Sequence, residues 1–439
     1  MEKIKVDFSK SVGRIKPMHA VNNVPCVPYD TNENNLFVKM QEAGIPYSRL
    51  HDTGGRYGGS RYVDINNLFP NFEADPEDPA SYDFAFTDRL LEEIVKYGMK
   101  PFFRLGPTIE NFHFIKAYHI YPPADYQKWA KVCEMVIRHY NEGWADGFRY
   151  GIQYWEIWNE PDNMPDIKDN PMWKGTIEQF CEFYDTVSVH LKQCFPEISV
   201  GGYGSCGFYA ISAADYSETA NSSSRVDYFI DFLNIFLTYI SEHGKVLDFF
   251  SWHSYADITE NVKYAEYARE KLRKFGFGDA EIFLNEWNPG IEQKGRLKDA
   301  SNIASGFCLM QKTSTDMCMY YDAQANTLYC GLFDYDSHDI HKAYYAFYAF
   351  NELYRLGEEV ENSSSAGKVY TCAAKNGQTQ ALLIVNNNDD PVEVEIEGMA
   401  CEGLTAKVVD AERWYEPVVL SGNTLTLGEN SIWLLKREI

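Results

Sequence analysis

The sequence of 439 residues lacks the marks of several protein classes. It contains no apolar run of about 18 residues, the length that a membrane-spanning helix needs. Its N-terminus, MEKIKVDFSK, has no apolar core of a signal peptide. The ten cysteines form no C-x-x-C pair, and the histidines show no metal-ligand spacing. We therefore expect a cytoplasmic protein with reduced thiols, without membrane association, metal or cofactor.

Positive charge is also scarce. The chain has 40 Lys and Arg against 64 Asp and Glu, which gives a formal net charge of −24. Such a surface repels phosphate backbones and polyanions, so nucleic acid is not an expected partner. Aromatic residues make up 15% of the chain, and they can serve either as stacking platforms for a carbohydrate or simply as core. The composition leaves a homo-oligomer open.

Short β-prone runs alternate with longer amphipathic segments along most of the chain. The segments carry apolar residues at i, i+3, i+4 and i+7, which indicates helices. Asp125, Thr176 and Asp227 are candidate N-caps for three of them. The β-prone runs lie at residues 19–22, 45–51, 100–105, 152–158, 198–202, 247–253, 281–285 and 317–322.

This alternation predicts an α/β fold, a (β/α)8 TIM barrel over residues 14–357. A doubly wound open sheet is the alternative, although no G-x-G-x-x-G turn follows the first strand. From residue 358 onward the pattern changes to short runs with alternating apolar and polar residues. They predict a C-terminal antiparallel β-sandwich domain over residues 358–439, joined by residues 1–13. Support of the barrel and sugar binding are both open roles for this domain.

The dipeptide Asn-Glu occurs five times, but only residues 159–160 and 285–286 end predicted strands, the fourth and the seventh of the barrel. Both glutamates are therefore expected at the mouth of one barrel. Two carboxyl groups ~5–5.5 Å apart suit retaining cleavage of a glycosidic bond, with one as acid/base and the other as nucleophile. The alternative is that both are ordinary barrel-end ion-pair partners.

Strand alternation places Glu156, Trp158 and Glu160 on one face of the fourth strand. Glu156 would then lie deeper in the barrel interior than Glu160. We expect it to have a structural, hydrogen-bonded role.

The segments YWEIWNEP (154–161) and FLNEWN (283–288) resemble the acid/base and nucleophile motifs of clan A glycoside hydrolases. The pattern is most similar to glycoside hydrolase family 39, which includes β-xylosidases and α-L-iduronidases. The resemblance implies that Glu160 is the acid/base, that Glu286 is the nucleophile, and that Asn159 binds the sugar 2-hydroxyl.

The segments SRLHD (48–52) and WHSY (252–255) extend the resemblance. By it, Arg49 keeps the nucleophile ionised, His51 binds a sugar hydroxyl, and Tyr255 orients the nucleophile beside His253. Each residue has a plainer alternative: an ion pair for Arg49, a loop histidine for His51, and core packing for the pair on the sixth strand.

Asp52, Trp287 and Tyr321 complete the candidate substrate-binding residues. Trp287 could stack on the sugar or fill the core. Residues 319–334, MYYDAQANTLYCGLFD, depart from the family's eighth strand, which usually offers a tryptophan and later acidic residues, so the sugar is left undetermined. The glycine-rich HDTGGRYGG (51–59) could be a lid, a tight ligand-binding loop or an anion site.

The predicted function is a retaining glycoside hydrolase that cleaves small oligosaccharides by double displacement, with β-xylosidase as the first candidate activity. Two alternatives remain: a carbohydrate-binding protein without catalysis, and an endo-acting polysaccharide hydrolase.

Overall fold

The computed structural model describes residues 1–28, 35–53, 63–109, 119–213 and 224–438. The strands are β1 (Glu2–Arg14), β2 (Ala20–Asn22), β3 (Tyr47–Leu50), β4 (Lys100–Leu105), β5 (Tyr154–Ile157), β6 (Ser199–Ser205), β7 (Phe249–Ser254), β8 (Glu281–Trp287), β9 (Met317–Tyr321), β10 (Glu358–Ser364), β11 (Val369–Lys375), β12 (Thr379–Asn386), β13 (Val392–Glu397), β14 (Thr405–Val409), β15 (Trp414–Val419), β16 (Thr424–Leu427) and β17 (Ile432–Glu438). The helices are α1 (Phe37–Glu42), α2 (Ile65–Leu68), α3 (Ala85–Lys96), α4 (Tyr126–Asn141), α5 (Ile177–Cys194), α6 (Arg225–Glu242), α7 (Ile258–Lys274), α8 (Leu297–Gln311) and α9 (Tyr344–Leu356).

Strands β2 to β9 form a closed parallel barrel, in which β2 pairs with both β3 and β9. Each of the eight predicted runs supplies one of these strands, so the predicted TIM barrel is confirmed and the open sheet is excluded. Alternate side chains of the strands point inward and fill the barrel floor with a small apolar cluster that includes Phe102, Phe249 and Phe283.

Four of the described helices, α4 to α7, begin at side-chain caps, and two of the three predicted caps are confirmed. Asp125 accepts a hydrogen bond from the amide of Lys128, and Thr176 forms a capping box with Gln179. The third prediction, Asp227, was wrong, because α6 begins three residues earlier than that cap implies. Its cap is Ser224, whose hydroxyl accepts from the amide of Asp227.

The predicted C-terminal β-sandwich domain is confirmed, and its strands form one nine-stranded sheet in the order β15-β14-β17-β12-β11-β10-β1-β13-β16. Its strand pairs are antiparallel except β1 with β13, which is parallel. One face encloses a second apolar core around Ile384 and Trp433. The other face, with Leu383 and Val385, joins the main core at α8 and α9. The domain boundaries at 13/14 and 357/358 stay a prediction.

None of the ten cysteines, all of which lie within the described residues, forms a disulfide bond. Among the described residues, no helix combines the length and the apolar character that crossing a membrane requires. Most of the glycine-rich segment at 51–59 lies outside the described residues, so its proposed roles stay predictions.

Candidate active site

A cavity of about 550 Å³ opens at the carboxyl ends of the barrel strands. Parallel barrels place their ligand sites at this end, because the loops that follow each strand meet there. Seven of the predicted site residues line the cavity: His51, Asp52, Glu160, His253, Tyr255, Glu286 and Tyr321. Arg49 and Asn159 are buried beside them. Trp287 is 1% exposed and packs edge-on against Phe307 and Tyr320, which fits its core alternative.

A β-bulge in β8 turns two consecutive side chains toward the barrel axis. Trp252 is opposite Leu284 in the ladder, but the next residue, His253, is opposite Glu286. Asn285 is the extra residue, and its amide donates to Glu156 at 2.6 Å inside the barrel. In a regular strand, neighbours point to opposite faces. The bulge therefore lets Asn285 hold the interior carboxylate while Glu286 reaches the cavity.

The chain leaves β5 through two residues with left-handed backbone. Trp158 has φ of 72° and Glu160 has φ of 45°, values that side chains other than glycine rarely adopt. The prediction that Trp158 shares a face with Glu156 and Glu160 was wrong, because the strand ends at Ile157 and alternation stops there. The indole of Trp158 packs outward among the aromatic rings of the neighbouring helices.

Arg49 is fully buried and joins three side chains at the base of the site. Its Nε donates to Glu156 at 2.7 Å, its Nη1 to Glu286 at 3.2 Å, and its Nη2 to Asn159 at 2.5 Å. A guanidinium presents its donors in a fixed planar fork, so it sets the positions of all three partners. Glu156 also accepts a hydrogen bond from Ser251 at 2.6 Å, which places it in a satisfied interior network.

Three donors surround the carboxylate of Glu286. The Tyr255 hydroxyl donates to Oε1 at 2.7 Å, while Arg49 and the amide of Asn22 reach Oε2, the latter at 3.4 Å. Contacts of this kind hold the carboxylate in one orientation. Asn22 was not predicted, since its strand carries no motif and only barrel closure brings β2 next to β9.

Both carboxylate oxygens of Glu160 have hydrogen-bond partners. Oε1 lies 2.7 Å from Nδ1 of His253, and Oε2 accepts from the amide of Asn163 at 2.7 Å. Burial acts to raise the pKa of Glu160, but the bonds from His253 and Asn163 and the charge of His253 outweigh it and lower the pKa. Burial acts to lower the pKa of His253, but the charge of Glu286 and the bond to Glu160 raise it. Both shifts favour the charged forms of the pair, an ionised Glu160 beside a protonated His253.

The two motif glutamates approach one another closely. One carboxylate oxygen of Glu160, one carboxylate oxygen of Glu286 and one ring nitrogen of His253 all lie within 4.8 Å of one another. The two carboxylates are therefore separated by no more than that distance at their nearest oxygens. Retaining glycosidases have their carboxyl groups ~5–5.5 Å apart, whereas inverting ones leave ~6.5–9.5 Å for a water. The arrangement can therefore serve direct attack on an anomeric carbon.

A second group of three ligand-type side chains lies on helices α4 and α5: Glu134, His190 and Cys194. In this group Arg138 already binds Glu134, and at the cavity Arg49 already binds Glu286. At both clusters an arginine thus supplies the positive charge that a metal ion would bring to the carboxylate.

The family model described as "Glycosyl hydrolases family 39" matches residues 2–351. The chain belongs to this family. Among its relatives, the β-xylosidase of Geobacillus stearothermophilus is 24% identical over 250 residues, covering 54% of this chain and 42% of the relative. The β-xylosidase of Caldicellulosiruptor saccharolyticus is 25% identical over 270 residues, covering 58% and 46%. The family 39 chain thus spans less than half the length of these curated relatives.

Among solved structures, the fold is similar to that of a glucosidase from Croceicoccus marinus, with a TM-score of 0.77 and 20% identity over 99% of this chain and 98% of that one. At this identity the likeness shows the shared barrel and β domain, and nothing finer.

At one end of the cavity lies Asp322, which the sequence left unaligned, together with the predicted residues Asp52, Tyr321 and His51. Burial and the charges of Asp52 and Glu286 raise the pKa of Asp322 to about 8. Burial and the charge of Glu286 raise the pKa of Asp52 to about 7, and the hydroxyl of Tyr321 lies 3.4 Å from this carboxyl. Burial and the charge of Arg49 lower the pKa of His51. This end of the cavity thus presents protonatable carboxyls rather than fixed charges.

Proposed function

We propose that the chain is a retaining glycoside hydrolase that cleaves terminal sugars from small β-glycosides by double displacement, with β-xylosides as substrates. The observation that carries the proposal is the approach of Glu160 and Glu286 within 4.8 Å at the mouth of one barrel. The two relatives from Geobacillus stearothermophilus and Caldicellulosiruptor saccharolyticus, both β-xylosidases, support the choice of sugar.

Glu286 attacks the anomeric carbon in the first step. Arg49 and Tyr255 hold its carboxylate in position at 3.2 and 2.7 Å, so little reorganisation is needed for attack. The proton for the leaving oxygen passes from His253 to Glu160 along their 2.7 Å contact and from Glu160 to that oxygen, so Glu160 is left ionised. The glycosyl group is then esterified to Glu286, and two inversions at the same carbon give overall retention.

Glu160 acts as a base in the second step. Its lowered pKa leaves it ionised once the leaving group has taken the proton, so it can accept a proton from water. The water attacks the anomeric carbon and releases Glu286.

The far end of the cavity is suited to the hydroxyls of the terminal sugar. Asp52, His51 and Asp322 line it, and a carboxyl group that can hold or release its proton can both donate to and accept from hydroxyls. A volume of about 550 Å³ accommodates a small glycoside, as ligand pockets of ~300–1,000 Å³ do.

The first experiment measures hydrolysis of aryl β-xyloside, β-glucoside and α-L-iduronide by the wild type, with the first-formed anomer read by NMR. We expect the xyloside to be cleaved fastest with retained configuration. An inverted first product would exclude double displacement. Release of internal fragments from xylo-oligosaccharides would instead support endo action, and sugar binding without turnover would support a non-catalytic protein.

The second experiment tests the two glutamates with variants. Glu286→Ala should lose turnover on all substrates, whereas Glu160→Ala should lose most on poor leaving groups, because a good leaving group needs little protonation. Glu281→Ala is the matched control, since Glu281 begins the same strand at the opposite end of the barrel. Full activity of Glu286→Ala, or equal loss on all leaving groups for Glu160→Ala, would reject the assigned roles.

A further inference from the structure

Asn163 connects an arginine to the acid/base residue. Its amide nitrogen donates to Oε2 of Glu160 at 2.7 Å. On its other side, Arg225 donates from Nε to the Asn163 carbonyl at 2.6 Å and from Nη2 to the side-chain oxygen at 3.2 Å. The three side chains form one chain of hydrogen bonds that ends at the cavity.

The guanidinium determines which way the asparagine amide faces. Arginine carries only donors, so the atom of Asn163 that meets it must be the oxygen. The amide nitrogen is then the atom left to face Glu160. Without Arg225 the amide could rotate and present its oxygen to the carboxylate, which would repel the ionised form.

Arg225 is held in place for this role. It is the first residue of α6, and its guanidinium lies 5.2 Å from the ring centroid of Phe229, one helical turn later. Phe229 is 1% exposed and therefore rigidly packed. A cation over a buried ring, with two further bonds to one partner, has little freedom to reorient.

We infer that Arg225 is a positioning residue that acts through Asn163 to keep a hydrogen-bond donor on Glu160. The inference rests on the proposed function of Glu160 as acid/base. Its consequence is that the proton affinity of Glu160 depends on a residue 65 positions away that also lines the cavity. His253 of β7 faces the other oxygen of Glu160 at 2.7 Å and stays in place in the variants below. Loss of the donor from Asn163 should therefore strengthen proton binding by Glu160, because the carboxylate loses a bond that favours its charged form.

The test compares Arg225→Lys, Arg225→Met and Asn163→Ala. Lysine keeps the positive charge but loses the two-pronged fork, whereas methionine loses both. We expect all three to shift the basic limb of the kcat/KM profile upward by about 0.5–1 pH unit. Adding Arg225→Met to Asn163→Ala should produce a smaller shift than Arg225→Met does alone, because only the direct effect of the Arg225 charge is then left to lose. Arg89→Met, at an exposed arginine of α3, is the control and should leave the profile unchanged.

A second readout separates this inference from the proposed function. The titration of Glu160 is followed by ¹³C NMR of labelled glutamate carboxyls, with Glu160→Gln for assignment, and it needs no turnover. An upward shift in Arg225→Lys and in Arg225→Met supports the inference even if no glycoside is cleaved. A shift in Arg225→Met alone overturns it, because the charge would then act through space. No shift in either variant overturns it as well.

Discussion

Asp162 is a buried carboxyl two residues beyond Glu160, and its replacement by asparagine tests how burial makes stability depend on pH. Its Oδ2 accepts from the Ser205 hydroxyl at 2.8 Å, and its oxygens lie 3.2 Å from the amide of Cys206. Asparagine can keep both contacts, since the serine hydroxyl can donate or accept. Burial raises the pKa of Asp162 to about 7, and the charge of Glu160 adds to this effect.

The size of this pH dependence follows from the proton that Asp162 holds in the folded chain but not in the unfolded chain. In the unfolded chain this carboxyl releases its proton near pH ~3.9, so between there and pH 7 folding takes up a proton. Raising the pH therefore favours the unfolded state, until both states are ionised above pH 7. Between pH 5 and pH 7 the free energy of unfolding of the wild type should fall by ~1.4 kcal/mol per pH unit because of this carboxyl. At pH 9 the wild type should therefore have lost about 3 kcal/mol of stability that the Asp162→Asn variant keeps.

The assay is urea unfolding of both proteins at pH 5 and pH 9. Asp334→Asn removes one charge at an exposed carboxyl, and so controls for relief of repulsion in a chain of net charge −24. We expect the free energy of unfolding of Asp162→Asn, relative to wild type, to rise by about 3 kcal/mol between the two pH values. Parallel curves for the two proteins would refute the reasoning, since Asp162 would then titrate alike in both states.

Three further outcomes are expected. Tyr255→Phe removes a 2.7 Å bond to Glu286, and a charge-assisted bond worth about 1.5–3 kcal/mol predicts a 10- to 150-fold fall in kcat/KM; an unchanged initial rate would contradict it. Arg49→Met leaves buried Glu156 without its cation, so the free energy of unfolding by urea should fall by about 3–5 kcal/mol, and a neutral result would show that the pair is not needed. Thr176→Ala removes a helix cap and should lower the free energy of unfolding by urea by about 1 kcal/mol, without changing the rate of glycoside hydrolysis per folded molecule.

The barrel could be predicted because its signal is repeated. Eight apolar runs separated by helical segments admit few arrangements, and an error in any one run would not have changed the architecture. The two motif glutamates could be placed for the same reason, since each follows a strand and all strands of the barrel end at one face. The helix caps are weaker signals, because a hydroxyl or carboxyl three residues away serves equally well, as Ser224 does in place of Asp227.

The local geometry of the site could not be predicted from alternation. Regular strands turn successive side chains to opposite faces, yet Asn285 and Glu286 both face the barrel axis because of a bulge. The backbone also adopts left-handed conformations, with positive φ, at Trp158 and Glu160. These departures cost conformational energy that the surrounding contacts must offset. Period-2 reasoning therefore fails where the chemistry is expected.

Contacts between distant segments set the remaining part of the site. Asn22 reaches Glu286 because the first and eighth barrel strands pair, and Arg225 reaches Asn163 because α6 begins above the end of β5. None of these residues lies in a pattern that marks it in the sequence, since asparagine and arginine are common on any surface. The motifs thus identify which atoms could react, while barrel closure determines which donors surround them. A chain with the same two motifs but another residue at position 225 should keep the proposed chemistry and change the pH at which it operates.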